Sequence, residues 1–180
     1  MRILTCDPET EIIGQTVMSF VDNIQSEDVQ PYLIKYGLEN IQPDQWYPAK
    51  RQLDMMNDMA QGANLSSNLV AIGMALIENM LLPPGMDKAP LSAVLLGWDE
   101  LYRMQHRGGQ IGYVKTDRIS DTHYTTTHHH IYPDDMTYGL AYGMARRWLP
   151  PSTRFKVFYD PDIPNMDNGG DVTIIHVEWE

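Results

Sequence analysis

The chain has little cysteine and few basic residues. Cys6 is the only cysteine among 180 residues, so an internal disulfide and a cysteine-rich zinc site are excluded, and the composition fits a reducing, cytoplasmic location. Lysine and arginine number 13 against 24 aspartates and glutamates, which gives a formal net charge of -11. Because an acidic surface repels phosphate backbones, this balance argues against nucleic acid as a partner.

Long hydrophobic runs and catalytic motifs are also absent. The longest apolar stretch, residues 69–82, is interrupted by Glu78 and Asn79, so it is too short and too polar to span a membrane. The first residues contain no apolar segment of signal-peptide length, and we expect no secretory signal. The chain contains no Gly-x-Ser-x-Gly, P-loop or Gly-x-Gly-x-x-Gly motif, and we expect a non-enzymatic protein.

What the sequence does contain is a change of hydrophobic period after residue 108. Before that point the spacing of apolar residues predicts five helices, over residues 8–25, 26–36, 48–61, 67–82 and 90–106, the first capped by Asp7 and the third broken at Gly62. After it the pattern predicts strands over residues 110–116, 122–132, 154–159 and 172–179, with one helix over 135–149. The order favours an α+β fold in a single domain, residues 1–180. In this fold an N-terminal helical half packs on a C-terminal antiparallel sheet of about four strands.

The predicted strand over residues 122–132 is rich in histidine and threonine. Side chains alternate between the faces of a strand, so Tyr124, Thr126, His128 and His130 share one face. Imidazoles two residues apart lie about 7 Å from one another, which suits two ligands of one metal ion. One hypothesis is therefore a metalloprotein, with hydrolysis as a candidate activity, that uses His128, His130 and His176. The alternatives are a solvated strand, or polar contacts with an organic ligand or a second subunit.

His106 and two glycines are further candidates for special roles. His106 is the last residue of a predicted helix, where a cationic imidazole is favoured by the helix dipole and can bond the last carbonyls; ligand or heme binding is the other hypothesis. Gly139 and Gly143 lie four residues apart in the predicted last helix. Since glycine weakens a helix, this spacing indicates either close packing on a neighbouring element or room for a ligand.

Three stretches together are similar to one known fold. Trp46-Tyr47-Pro48 opens a helix, a second helix ends in residues 101–109, and residues 132–143 start the last helix before a closing hairpin. In this order the chain resembles the ligand-binding fold of heme nitric-oxide/oxygen-binding sensors, 4-vinyl-reductase domains and TRAPP-type trafficking subunits. The heme members use a histidine on a mid-chain helix and a Tyr-x-Ser-x-Arg strand motif that grips the propionates. Here the segment from Tyr124 to His128 matches in part, with histidine in place of arginine, and no histidine precedes His106.

The resemblance implies a sensor or carrier that binds a small or apolar molecule between helices and sheet, with heme as a candidate cofactor. We predict a cytoplasmic, non-enzymatic, homodimeric ligand-binding domain. Aromatic groups would supply apolar area and polar groups would orient the ligand. The residues predicted near the pocket are Trp46, Tyr47, His106, Tyr124, Thr126 and His128. A third hypothesis is a structural protein whose exposed aromatic residues form an oligomer interface.

Overall fold

The computed structural model describes the backbone of residues 2–22, 26–60, 66–80 and 82–180. The predicted end of the first helix at Gln25, the predicted break at Gly62 and the helical position Leu81 lie outside the described residues. The described helices are α1 (Gly14–Asp22), α2 (Ser26–Tyr36), α3 (Ala49–Ala60), α4 (Ser66–Asn79), α5 (Leu91–Leu96), α6 (Trp98–Met104) and α7 (Asp134–Trp148). The described strands are β1 (Glu11–Ile13), β2 (Trp46–Pro48), β3 (His106–Arg107), β4 (Gly112–Ser120), β5 (His123–His130), β6 (Phe155–Tyr159) and β7 (Thr173–Trp179).

The C-terminal sheet has four antiparallel strands in the order β4-β5-β7-β6. Its inner face is covered by α5, α6 and α7, and α4 packs on the other side of α7. The α+β prediction is therefore confirmed. The layer order places a continuous apolar core between the helices and the sheet, and several of the helical methionines, including Met55, Met56 and Met144, are buried in it.

Helix α7 carries acidic residues at its start, basic residues at its end and glycines on its buried side. Asp134 and Asp135 lie in the first turn, and Arg146 and Arg147 lie in the last, an arrangement that complements the helix dipole. At the crossing with α4, an added Cβ on Gly139 would overlap the backbone of Val70. The predicted close approach of this helix to a neighbour is confirmed.

A second, smaller sheet was not predicted. Strands β2, β1 and β3 form it in that order, with Ile12 paired to Tyr47 on one side and to His106 on the other. The predicted helix start at Asp7 is wrong, because Asp7 closes a turn with Thr10 and the helix begins at Gly14. Each strand has only two or three residues, too few for an alternating pattern to be recognised.

Two helix boundaries also differ from their predictions. Pro48 ends the edge strand β2 rather than starting a helix, a place where its missing N–H costs no ladder hydrogen bond. The predicted helix over residues 90–106 is divided at Gly97 into α5 and α6, and His106 lies in β3. None of the helices in the described part of the chain is long and apolar enough to cross a membrane.

Candidate functional site

A cavity of about 230 Å³ lies between the helical half and the inner face of the four-stranded sheet. Its wall is mostly apolar, with Phe20 from α1, Ile77 from α4, Val114 from β4 and Leu140 from α7 among its residues. No aspartate, glutamate, lysine or arginine among the described residues lines it. The position agrees with the predicted one, between helices and sheet.

His106 lies at the wall of this cavity, held in one tautomer by two hydrogen bonds. The ring Nδ1 is 2.7 Å from the carbonyl oxygen of Tyr102, and Nε2 is 2.6 Å from the hydroxyl of Tyr132. Since a carbonyl only accepts, Nδ1 carries the proton and Nε2 accepts from Tyr132. Burial lowers the pKa of His106 to about 4, so the imidazole is neutral at physiological pH. The hydrogen bond to the last turn of α6 was predicted, but the neutral state was not.

His130 also lines the cavity, and its ring is hydrogen-bonded at both nitrogens. Its Nδ1 accepts from the backbone N–H of Tyr132 at 3.3 Å, and Nε2 is 3.0 Å from the hydroxyl of Thr137. That hydroxyl donates to the carbonyl of Pro133, so Nε2 is the protonated nitrogen. Burial lowers the pKa of His130 to about 3. The ring therefore joins the end of β5 to the first turn of α7 as an uncharged group.

His128 is fully buried behind the cavity wall. Its ring lies edge-on to Trp98, with the ring centroids 4.7 Å apart. Nε2 is 2.9 Å from the hydroxyl of Thr126, which in turn donates to the carbonyl of Ile175. Nδ1 has no partner among the described residues, and burial holds the pKa of His128 well below its usual range. His128 and Thr126 therefore form a polar pair inside the core.

Gln52 supplies another polar group at the cavity wall. It lies on the buried side of α3, where only 2% of the residue is exposed. Its Oε1 is buried and has no hydrogen-bond partner among the described residues. Buried carbonyl oxygens are normally paired, so this oxygen, which has almost no accessible surface of its own, is an exception among the described residues.

Of the six residues predicted near the pocket, only His106 lines the cavity. Tyr124 is buried and stacked on Trp179, with the ring centroids 5.6 Å apart. Trp46 and Tyr47 lie in β2, half-buried, and are not among the residues of the cavity wall. The indole of Trp46 packs under the guanidinium of Arg107 at 4.4 Å. The two aromatic residues of β2 therefore stabilise the smaller sheet rather than the cavity.

The three histidines of the metal hypothesis are not brought together. His128 and His130 point into the core, whereas His176 pairs in register with Thr125 and lies on the outer face of the sheet. There His176 bonds to His123 at 2.9 Å and to the carboxylate of Asp160 at 3.1 Å. Over the described ranges, no group of three or more His, Cys, Asp or Glu side chains is placed to hold a metal ion. The proposed ligand set is wrong, because the register of β5 and β7 places His176 opposite Thr125, on the other face of the sheet from His128 and His130.

Among the cavity-wall residues that were not predicted from the sequence, Tyr132 and Gln52 each have a recognisable signal. Tyr132 is an even-numbered neighbour of His128 and His130 in the strand pattern, and it directly precedes Pro133, the N-cap of α7. Gln52 is a polar residue among the buried positions of an amphipathic helix, between Ala49 and Met56. A polar residue at such a position indicates a buried hydrogen bond or a ligand contact.

Comparison with known proteins gives a likeness at the level of three-dimensional structure. No protein-family model matches the chain, and no curated protein matches it. The H-NOX protein from S. oneidensis in the Fe(II)NO ligation state superposes with a TM-score of 0.69 at 14% identity, covering 94% of this chain and 99% of that one. A point mutant of T. tengcongensis H-NOX superposes with a TM-score of 0.67 at 14% identity, covering 93% and 94%. A further H-NOX structure, from work on heme distortion in that family, gives 0.68 at 14% identity, covering 93% and 91%. The chain therefore has the fold of H-NOX proteins.

Proposed function

We propose that this chain is a single, non-enzymatic sensory domain that binds a compact, uncharged and mostly apolar small molecule in the cavity beside His106. The observation that carries the proposal is the uncharged, largely apolar cavity between helices and sheet. Solved proteins with this fold are described in ligated states, such as Fe(II)NO. Apolar pockets with a few polar groups are the usual form of small-molecule sites.

Heme is the cofactor that these neighbours suggest, since one of them was studied for its heme redox potential, but the residues of this cavity do not fit it. The cavity of about 230 Å³ is smaller than the roughly 300–1,000 Å³ of typical small-molecule sites. Heme carboxylates would require cationic partners, and none lines the described wall. His128, in the place of the motif arginine, is buried with a lowered pKa and carries no charge. The Nε2 lone pair of His106 is already bonded to Tyr132.

Absorption spectroscopy tests this exclusion of heme. Protein expressed with heme supplied, or mixed with hemin after purification, is expected to show no Soret band beyond that of free hemin. His106→Ala serves as the comparison, because the Nε2 lone pair of His106 at the cavity wall accepts its hydrogen bond from the side-chain hydroxyl of Tyr132. A stoichiometric Soret band that disappears in this variant would contradict the exclusion.

Binding of a neutral aromatic probe tests the proposed function itself. Benzothiophene, an uncharged bicyclic molecule, is expected to bind with one-to-one stoichiometry by ligand-observed NMR and calorimetry. Leu140→Trp fills part of the cavity and should abolish binding, whereas Leu96→Trp, at a position 57% exposed, should leave it unchanged. Failure of wild type to bind, or equal binding by both variants, would overturn the proposal.

The assembly and location are part of the same proposal. A homodimer is supported by the exposed apolar side chain of Ile119 on the edge strand β4, since edge strands readily pair with one another. A mass measurement in solution tests it, and a strict monomer at high concentration would contradict it. A cytoplasmic location is supported by the single, unpaired Cys6.

A further inference from the structure

We infer that the ligand enters and leaves the cavity between α1 and the C-terminal end of α6. The opening there is closed by a gate, formed by the side chain of Met104 and the hydrogen bond from Thr16 to Gln105. The inference rests on the ligand-binding function proposed above and adds the route to that site. It is carried by the exposure of the cavity wall at Met104 and by the way α1 and α6 are joined beside it.

The distribution of exposure around the cavity wall is the first step. The wall is buried where the sheet forms it, with Val114 and His130, and where α3 forms it, with Gln52. Met104, the last residue of α6, also lines the cavity, although 60% of this residue is exposed. A side chain that borders both the cavity and the solvent lies where the two meet. Met104 therefore marks an opening.

The polar residues of α1 mark the other side of this opening. Gln15, Thr16 and Ser19 line the cavity and are half-buried, whereas Val17 and Phe20 of the same helix are fully buried. Polar side chains are most stable where water can reach them. This edge of α1 therefore forms a hydrated rim in front of a mostly apolar cavity.

One side-chain hydrogen bond joins the two sides of the opening. The hydroxyl of Thr16 donates to Oε1 of Gln105 at 2.7 Å, and Gln105 directly follows Met104 in the chain. Nε2 of Gln105 donates to the carbonyl of Leu101 at 3.1 Å, which holds the amide against the last turn of α6. A hydrogen bond between neutral, partly exposed groups contributes little net free energy, so this one can break and re-form during ligand passage.

The backbone at the opening is fixed, so rotation of side chains is the motion that opens the gate. The N–H of Ile13 donates to the carbonyl of Gln105 at 3.1 Å, and Val17 and Phe20 attach α1 to the core. Methionine is unbranched with three rotatable bonds, and exposed side chains change rotamer within picoseconds to nanoseconds. Met104 can therefore move aside while α1 stays in place.

A second part of the wall offers a competing route. Met80 and Pro83, which follow α4, and Leu140 of α7 line the cavity and are half-buried. Met104 is more exposed than any of these three residues. The route beside Met104 is therefore the shorter one from solvent to cavity.

Substitutions of Met104 test the route. NMR exchange spectra of benzothiophene, the neutral probe used above, measure its association and dissociation rates together with Kd. Met104→Ala is expected to raise both rates. Met104→Trp should lower both rates by about ten-fold, because a larger side chain must be displaced at each passage, and Kd should stay within about two-fold. Leu96→Trp, at a similarly exposed position outside the wall, is the matched control and should leave the rates unchanged.

Substitutions of Thr16 test the hydrogen bond. Thr16→Val removes the hydroxyl and keeps a β-branched side chain. It should raise both rates by about five-fold, the effect of one hydrogen bond between neutral groups. Thr16→Ser keeps the hydroxyl and should have the rates of wild type within about two-fold.

The outcomes separate the gate from the function on which it rests. Binding of benzothiophene at rates that respond to neither Met104→Trp nor Thr16→Val overturns the gate and leaves the cavity function standing. Slower exchange in Met80→Trp alone overturns it in favour of the route beside α4. A changed Kd with an unchanged association rate in Met104→Trp also overturns it, because Met104 would then be a contact of the bound ligand. Failure of wild type to bind overturns both proposals together, and equal changes of the two rates at constant Kd support the gate.

Discussion

At the scale of single residues, burial determines the chemistry of the histidines. His106, His128 and His130 are all buried, and desolvation lowers the pKa of each. These imidazoles therefore act as neutral hydrogen-bonding groups at physiological pH. The lone pair of His106 Nε2 faces the hydroxyl of Tyr132, and the fixed tautomer prepares this nitrogen to accept a hydrogen bond.

The protonation state of His106 is the prediction at this scale. Its ring is expected to stay neutral, protonated at Nδ1, until the pH falls to about 4, because burial disfavours the charged form. Nitrogen chemical shifts of the ring measure both the tautomer and the titration. The same residue in urea-unfolded protein is the control, with a midpoint at the ordinary value of about 6.5. A folded-state midpoint near that value would show the prediction to be wrong.

At the scale of elements, the crossing of α4 and α7 depends on bare backbone. Gly139 lies against Val70, and reciprocally Gly73 lies against the carbonyl of Met136. A methyl group at either position would have to push the two helices apart, since the atoms it meets belong to backbone. The same helices contribute Ile77 and Leu140 to the cavity wall, so the crossing also determines the shape of the cavity.

Substitution of Gly139 tests the role of the crossing. Gly139→Ala is expected to lower the free energy of unfolding by about 1–3 kcal/mol, in spite of the better helix propensity of alanine, because the core is overpacked. Urea unfolding measures the change. The control is Gly97→Ala, where φ is ordinary and the nearest atom to an added Cβ is 3.3 Å away. A neutral or stabilising Gly139→Ala would show that the helices are free to move apart.

The start of α7 is attached to the N-terminal segment through Arg2. Its guanidinium donates to the carbonyls of His130 and Tyr132 at 2.9 and 2.7 Å and to the carboxylate of Asp167 at 2.8 Å. It also lies 3.5 Å from the carboxylate of Asp134, whose side chain is 1% exposed. Burial raises the pKa of Asp134, and the nearby Arg2 opposes that rise.

Removal of the Arg2 guanidinium should lower the stability of the folded protein. Arg2→Met is expected to lower the free energy of unfolding by about 1–3 kcal/mol, because it leaves buried acceptors unpaired. Arg154→Met is the matched control, since the ion pair of Arg154 with Glu180 is exposed on both sides and contributes at most about 1 kcal/mol. Equal effects of the two substitutions in urea unfolding would contradict the buried role of Arg2.

At the scale of the whole molecule, the buried histidines make stability depend on pH. Between the ordinary value of 6.5 and the folded value of about 4, unfolded His106 binds more protons than folded His106. Stability is therefore fully present above about pH 6.5 and is lost as the pH falls towards 4. His128 and His130 act in the same direction, whereas the raised pKa of Asp134 acts in the opposite one.

Urea unfolding at about pH 7.5 and about pH 5 measures this dependence. His106 alone is expected to account for a loss of about 2 kcal/mol between the two conditions, with unchanged m-values. His106→Gln removes the titrating group and should reduce the loss by about that amount. Parallel pH profiles for wild type and variant would contradict the assignment to His106.

The predictable part of the fold was the set of helices and strands long enough to show a repeating hydrophobic pattern. Periodicities sustained over several residues identified α3, α7 and the strands β4 to β7, because burial on one side repeats every 3.6 or every 2 residues. The strands β1 to β3 were missed, since segments of two or three residues contain no period. In the candidate site, His106 was among the residues predicted near the pocket and lines the cavity, whereas Trp46 and Tyr47 are not among the residues of its wall.

The amino-acid sequence by itself determined the class of fold and which side chains of β5 share one face, because both follow from local spacing, and it narrowed the glycines of α7 to close packing or room for a ligand. Only the tertiary structure decided which polar groups meet. His176 lies on the opposite face of the sheet from His128 through the register of β5 and β7, and Gln52 reaches the cavity through the packing of α3. Register and packing join residues far apart in the chain, and the energies that determine them are sums over the whole core.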